Sequence, residues 1–61
     1  MHIYGAPGGI WLAYELDLDR GEYVVTNEGG EELFADPWET EARRYCEDLI
    51  EREAARLTEE P

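Results

Sequence analysis

In residues 10–18 every second residue is apolar, and the residues between them are apolar at first and acidic further along the chain. Strict alternation over this length predicts a β-strand with one buried face, because successive side chains of a strand point to opposite sides. The predicted buried set is Ile10, Leu12, Tyr14, Leu16 and Leu18, and the opposite set is Trp11, Ala13, Glu15 and Asp17. A chain that contains this strand needs a second layer to cover the apolar face.

The next residues predict a β-hairpin. "DRGE" (19–22) is typical of a tight turn, since Gly21 can adopt positive φ, and "YVVTN" (23–27) has the β-branched and aromatic residues of a strand. A two-residue loop at Arg20 and Gly21 would pair Asp19 with Glu22. We expect this register over a three-residue loop, which mixes buried and exposed faces. Against it, arginine is a poor residue for the positive φ that a type I′ turn requires.

The strongest boundary in the sequence is "DPWE" (36–39), which predicts a helix over residues 37–58. Asp36 is expected as N-cap, Pro37 at the first helical position and Glu39 as the partner of Asp36 in a capping box. Trp38 is expected in the core or in a hydrophobic staple. The apolar stripe at helical spacing is Trp38, Ala42, Tyr45, Cys46, Leu49, Ile50, Ala54 and Leu57.

These elements predict a single domain over residues 1–61 of the α+β class, in which an antiparallel β-hairpin or three-stranded meander packs on one long C-terminal helix. Residues 1–9 are expected to be a flexible or edge segment, with a short strand at 1–4. Residues 10–34 are expected to form the meander, with its third strand at 32–34. A domain of 61 residues has a small core. We therefore expect a homodimer or a partner complex, with stripe residues near Ile50 and Leu57 left for a second chain.

Charge limits the function more than any motif does. Sixteen acidic residues face five arginines and no lysine, which gives a net charge of −11. Such a chain repels nucleic acid and membrane surfaces and attracts basic proteins. The chain has no apolar run of membrane-spanning length and no signal-peptide pattern, so we expect a cytoplasmic protein with Cys46 reduced.

Catalytic and metal-binding patterns are absent from the sequence. His2 is the only histidine and Cys46 the only cysteine. Cys46 lies within the apolar stripe and is expected to be a core residue rather than a nucleophile. An EF-hand-like spacing of acids over residues 17–28 has its glycine at the wrong position. We expect no catalytic residues, no metal, no cofactor and no enzymatic activity.

The acids are concentrated in the predicted sheet. Residues 1–36 carry eight acids and one arginine, whereas residues 37–61 carry eight acids and four arginines. A row of carboxylates on a rigid sheet can occupy a groove that binds the phosphate backbone. In size, charge and compact α+β build, the chain resembles the small acidic DNA-mimic inhibitors of phages and mobile elements, including anti-CRISPR and anti-restriction proteins. The resemblance implies a non-enzymatic inhibitor of a basic nucleic-acid-binding protein, such as a CRISPR effector. The candidate partner-binding residues are Glu15, Asp17, Asp19, Glu22, Glu28, Glu31, Glu32 and Trp11.

Three further hypotheses account for the acids. The strand–strand–helix order is similar to that of small antitoxin domains of the HicB type, which implies an interaction module that dimerises through its helix and binds a basic protein. A halophile's domain would instead be acidic everywhere for hydration. The sheet acids could also protect an exposed strand edge and keep the protein soluble. Acids clustered on the sheet favour the inhibitor, and an exposed apolar helix stripe favours the antitoxin-like module.

Overall fold

A computed structural model describes residues 1–6 and 8–58, except for the side chains of Leu57 and Thr58. It confirms the α+β class: a four-stranded antiparallel sheet, in the order β1-β2-β3-β4, packs against one C-terminal helix. The elements are β1 (His2–Gly5), β2 (Trp11–Asp17), β3 (Glu22–Asn27), β4 (Glu32–Asp36) and α1 (Glu39–Thr58). The sheet therefore has four strands rather than the expected two or three.

Both outer strands differ from their predicted extents. The N-terminal segment is a regular edge strand that pairs with β2, with Ile3 opposite Ala13 and Gly5 opposite Trp11. The last strand runs two residues further than the predicted 32–34 and ends at Asp36. A bulge interrupts its pairing with β3 between Val25 and Thr26. The two edges of the sheet are thus β1, which is regular, and β4, which is bulged.

The predicted register of the β2–β3 hairpin is wrong by two residues. Asp17, not Asp19, lies opposite Glu22, and Leu16, not Leu18, lies opposite Tyr23. The loop has four residues, 18–21, instead of two. Because a shift of two preserves which face each side chain occupies, the strand residues keep their predicted faces. Leu16, predicted to be buried, is nevertheless 44% exposed, because the helix does not cover this end of the sheet, and Ala13 of the opposite face is only 4% exposed.

Local chemistry at Asp17 explains the longer loop. Its Oδ1 accepts hydrogen bonds from the backbone N–H of Asp19 at 3.0 Å and of Arg20 at 3.2 Å. Its carbonyl accepts from the N–H of Gly21 at 2.8 Å, and Gly21 has a φ of +68°. This arrangement puts positive φ on the glycine, so Arg20 does not have to adopt it. Leu18, predicted to be buried, is consequently 84% exposed.

The core lies between one sheet face and the helix. Leu12, Tyr14 and Val25 of the sheet are buried with Ala42 and Cys46 of the helix, which confirms Cys46 as a core residue. The rings of Phe34 and Tyr45 stack at 4.8 Å, and Leu49 and Ile50 also pack against the core. Ile50 is therefore partly covered by the sheet, its contact with a second chain stays a prediction, and the Leu57 side chain lies outside the described residues.

The start of the helix departs from the prediction at four residues, one of which is Pro37, which precedes the helix by two residues instead of occupying its first position. Helix α1 begins at Glu39, since the carbonyl of Trp38 accepts the first hydrogen bonds from the N–H groups of Glu41 and Ala42. Asp36 Oδ1 accepts from the N–H of Trp38 at 2.9 Å, so Asp36 caps the segment just before the helix. Glu39 turns to the sheet instead of completing a capping box. Trp38 is 70% exposed and is not a core residue.

Candidate functional site

The outer face of the sheet, which points away from α1, carries the candidate site. Within the described residues no element covers this face, because the single helix packs on the other one. At the β2–β3 hairpin end lies an open hollow of about 500 Å³, which we call the acidic hollow. Its lining residues are Glu15, Leu16, Asp17, Leu18, Asp19 and Val24.

The acidic hollow combines charge with apolar surface. Glu15, Asp17 and Asp19 contribute three carboxylates, and Leu18 and Val24 contribute apolar atoms between them. Within the described residues, no arginine lies within ion-pair distance of these three carboxylates. The hollow therefore presents three carboxylates without a close ion pair beside an exposed leucine, and of these three Asp17 still contributes to the raised pKa of Arg20.

Asp17 has a structural role in addition to its charge. Its Oδ1 holds the hairpin loop through the N–H groups of Asp19 and Arg20. The loop in turn places Leu18 and Asp19 at the rim of the hollow. Asp17 therefore both contributes a carboxylate to the hollow and fixes the conformation of the loop that lines it.

Arg20 neutralises part of the predicted acidic face. Its guanidinium bonds both carboxylate oxygens of Glu32, at 2.7 Å and 3.2 Å, and its Nε lies 3.7 Å from Glu22. These hydrogen bonds lower the pKa of Glu32 and raise the pKa of Arg20. The pair links the hairpin loop to β4. Glu22 and Glu32 are therefore ion-paired within the chain, whereas Arg20 interacts with Asp17 of the hollow only at longer range.

Glu28 and Glu31 lie at the other end of the sheet. They belong to the β3–β4 turn, where Asn27 Oδ1 accepts from the N–H groups of Gly29 and Glu31 and the side-chain amide of Asn27 donates to Glu31. Five residue steps along β3 separate this turn from Glu22, or about 17 Å at 3.3 Å per residue. The eight predicted residues do not form one continuous face.

Trp11 lies apart from the acidic hollow. It is 40% exposed and lies opposite Gly5 at the start of β2, whereas the hollow is at the end of β2. The most exposed apolar residue of the hollow is Leu18, which the alternation pattern had assigned to the core. A turn assignment of "DLDRG" from the Asp–x–x–x–Gly spacing could have found it.

A separate cluster joins β1, β2 and α1 beneath the sheet. The buried Tyr14 hydroxyl donates to Glu39 Oε2 at 3.0 Å, and the ring of His2 stacks on Tyr14 at 4.8 Å with its Nε2 3.7 Å from the same Glu39 oxygen. Burial, followed by the bond to Glu39, raises the pKa of Tyr14 to about 12. Burial also raises the pKa of the neighbouring Tyr4. Sequence reasoning missed this cluster because its members are distant in the chain.

Neither a metal site nor a membrane span is found in the part of the chain that the structure describes. Among these residues, no group of three or more His, Cys, Asp or Glu side chains could hold a metal ion. The described helix does not have the length and apolar composition that a membrane span requires. No protein-family model, no curated protein and no solved structure matches the chain.

Proposed function

We propose that this protein is a non-enzymatic inhibitor that docks its acidic hollow against a basic nucleic-acid-binding groove of another protein. The observation that carries the proposal is that Glu15, Asp17 and Asp19, which line the hollow with the exposed Leu18, form no ion pair within the described residues. The single arginine of residues 1–36 is engaged elsewhere, with Glu32. The hollow is therefore the part of the sheet best suited to bind cations from a partner.

The chemistry of the hollow matches lysine and arginine side chains. These residues place an aliphatic stem on apolar surface while keeping the charged head in a polar environment. Leu18 and Val24 provide apolar surface for such stems, and the three carboxylates accept hydrogen bonds from the heads. Grooves that bind DNA are rich in these side chains and bind through salt-dependent electrostatics. A carboxylate-lined sheet end competes with DNA for them without reading any base.

The distribution of charge supports docking more than general hydration. Residues 1–14 contain no aspartate, glutamate, lysine or arginine, while the following 22 residues contain eight acids. A domain that is acidic only for hydration would spread its acids over the whole surface. The helix acids are accompanied by four arginines, two of which pair with Glu41 and Glu53. The excess negative charge is thus concentrated on the sheet.

Helix-mediated dimerisation has less support. The antitoxin-like alternative needs an exposed apolar stripe on α1. The described apolar residues of the stripe from Ala42 to Ile50 face the sheet instead. We therefore retain the sheet, not the helix, as the surface for a partner.

The experiment compares two variants of equal charge. The hollow variant carries Glu15→Gln, Asp17→Asn and Asp19→Asn, in which the amide introduced at position 17 keeps the Oδ1 acceptor of the loop. The control variant carries Glu28→Gln, Asp48→Asn and Glu51→Gln, which lie outside the hollow. Wild type and both variants are used for pull-down from a CRISPR- and restriction-proficient lysate. Each recovered complex is then titrated with labelled duplex DNA at several salt concentrations.

The expected result is that wild type and the control variant recover a nucleic-acid-binding complex and compete with its DNA, while the hollow variant does neither. Competition should weaken as salt increases. If the two variants behave alike, or if the recovered complex still binds DNA in the presence of saturating wild type, the proposal is wrong.

A further inference from the structure

The two edges of the sheet are protected to very different degrees. Exposed edge strands usually carry charged residues, proline or bulges, which prevent pairing with other strands. Edge β4 has these features: it contains a bulge, begins with Glu32, ends with Asp36 and is followed by Pro37. The side chain of Arg20 also bonds to Glu32 there. Edge β1 is regular, and its four residues include no aspartate, glutamate, lysine, arginine or proline.

An apolar patch lies beside the unprotected edge. Ile3 of β1 is 65% exposed and Trp11 of β2 is 40% exposed, and both lie on the outer face. They are diagonal neighbours across the β1–β2 pair, because Ile3 is opposite Ala13 and Trp11 is two residues from Ala13. Gly5, which is opposite Trp11, has no side chain to separate them. Met1 is also exposed. Strand β1 itself carries no acidic side chain, and the nearest ion-pair partner at this edge is Glu39, which lies 3.7 Å from His2 on the helix side of the sheet.

We infer that β1 pairs antiparallel with β1 of a second copy of this chain, which makes a two-fold dimer with a continuous eight-stranded sheet. A two-fold contact uses the same surface on both copies, and an edge without acids can meet itself with little electrostatic repulsion. Pairing would satisfy the backbone groups along the edge and bury Ile3. The inference is independent of the proposed function, which uses the other end of β2.

Facing rules determine the register. Residues directly opposite in an antiparallel pair point to the same side of the sheet. With both helices on one side, Ile3 on the outer face must therefore lie opposite an odd-numbered residue of the second copy. The register that pairs Ile3 with Ile3 of the second copy includes all of residues 1–5, so it uses the whole edge and joins the two apolar patches.

The net charge of −11 is compatible with this dimer, because the acids of the two copies are far apart. In the proposed sheet, β2 and its equivalent are three strand spacings apart, or about 14 Å. The two-fold axis also moves the acidic hollows to opposite ends, so the two Glu15 side chains are about 20 Å apart. That separation exceeds the screening length of about 8 Å in physiological salt. The acids therefore oppose this dimer only weakly, and both hollows remain open.

The test measures mass against concentration by sedimentation equilibrium. A pair of short strands buries less than a standard interface, so we expect a concentration-dependent shift from 7.0 kDa to twice that mass. Ile3→Lys puts like charges opposite each other and should raise the dimer Kd at least about 10-fold. Leu18→Lys is the matched control, because it makes the same charge change at an exposed apolar residue in the hairpin loop and should leave the dimer Kd unchanged.

Two further experiments locate the contact. An equimolar mixture of Ile3→Lys and Ile3→Glu should recover a dimer, since the opposed residues then carry opposite charges. Ile3→Cys should form a covalent dimer on oxidation, because the two introduced thiols lie opposite each other, whereas Leu18→Cys should not. Native Cys46 is buried in both variants and does not interfere. Circular dichroism checks that each variant keeps its helix. The inference is overturned if wild type remains at 7.0 kDa up to about 1 mM, or if the lysine variants at positions 3 and 18 weaken the dimer equally.

Discussion

The phenol of Tyr14, in the middle of β2, donates a hydrogen bond of 3.0 Å to Glu39 Oε2 in the first turn of α1. Tyr14 is 2% exposed, so its hydroxyl has little access to water if this bond is lost. The bond connects the sheet and the helix across 25 residues of sequence. It also explains why Glu39 does not complete the predicted capping box.

Removal of this hydroxyl should destabilise the fold without emptying the core. Tyr14→Phe keeps the ring and loses the hydrogen bond, so the free energy of unfolding should decrease by about 1 kcal/mol. Urea unfolding followed by circular dichroism measures the change. Tyr23→Phe is the control, because the Tyr23 hydroxyl makes no side-chain hydrogen bond within the described residues, and it should change stability by less than about 0.5 kcal/mol. Equal effects of the two substitutions would contradict this role of the Tyr14 hydroxyl.

Alkaline pH should destabilise the protein through the same residue. The pKa of Tyr14 is raised from 10.0 to about 12 by burial and then by the bond to Glu39. Between these values the unfolded chain releases a proton that the folded chain keeps. The contribution of Tyr14 to the free energy of unfolding is therefore complete below pH 10 and decreases toward pH 12. Burial also raises the pKa of the Cys46 thiol, from 9.0 to about 11, which adds a loss of the same sign that begins near pH 9.

Urea midpoints between about pH 8 and pH 12 measure this dependence. One released proton contributes at most about 1.4 kcal/mol per pH unit. Tyr14→Phe should have a shallower decrease than wild type above about pH 10, while the earlier decrease from Cys46 should remain. Identical slopes for the two proteins would show that Tyr14 titrates alike in the folded and unfolded states.

The hairpin loop should depend on the Oδ1 acceptor of Asp17 and not on its charge. Asp17→Ala leaves the N–H groups of Asp19 and Arg20 without this acceptor and should lower the free energy of unfolding by about 1 kcal/mol. Asp17→Asn keeps an oxygen at the same place and should cost less than half as much. Thermal unfolding of the two variants provides the comparison. An asparagine variant as unstable as the alanine variant would assign the effect to the negative charge.

Gly21, the glycine of the β2–β3 loop, should not tolerate a side chain without loss of stability. Its φ of +68° is disfavoured for other L-residues, although a Cβ there would meet no atom within 4 Å. Gly21→Ala should therefore lower the free energy of unfolding by about 1 to 2 kcal/mol from backbone conformation alone. Gly5→Ala is the control, because Gly5 also has open space around it but no positive φ. A Gly5 variant that loses as much stability would show that the conformation of Gly21 is not responsible.

The fold class was predictable from patterns that are local in sequence. The alternation over residues 10–18 gives the buried face of β2, and "DPWE" marks the approach to α1 to within two residues. Cys46 was predictable as a core residue from its position in the helical stripe. Each of these signals depends on a repeat or a cap within one turn or strand, where neighbouring residues determine the outcome.

The candidate site was only partly predictable. The acids of β2 and the loop were recognised, but Arg20 compensates Glu22 and Glu32, and Glu28 and Glu31 lie at the other end of the sheet. Leu18 was assigned to the core, although the loop exposes it. These outcomes depend on which strands adjoin and where each turn begins, and neither is contained in a count of acidic residues.

The sequence alone determined which faces of β2 and β3 point to the helix, the order of the main elements and the excess of negative charge in the first 36 residues. Tertiary structure decided the register of the hairpin, the partner of Glu39 and the separation of the acids into two ends. The physical reason is that a period of two is unchanged when a strand shifts by two residues. The pattern therefore specifies the face of Leu16 but not its partner, and the carboxylate of Asp17 and the backbone of Gly21 select one register among those that bury the same residues.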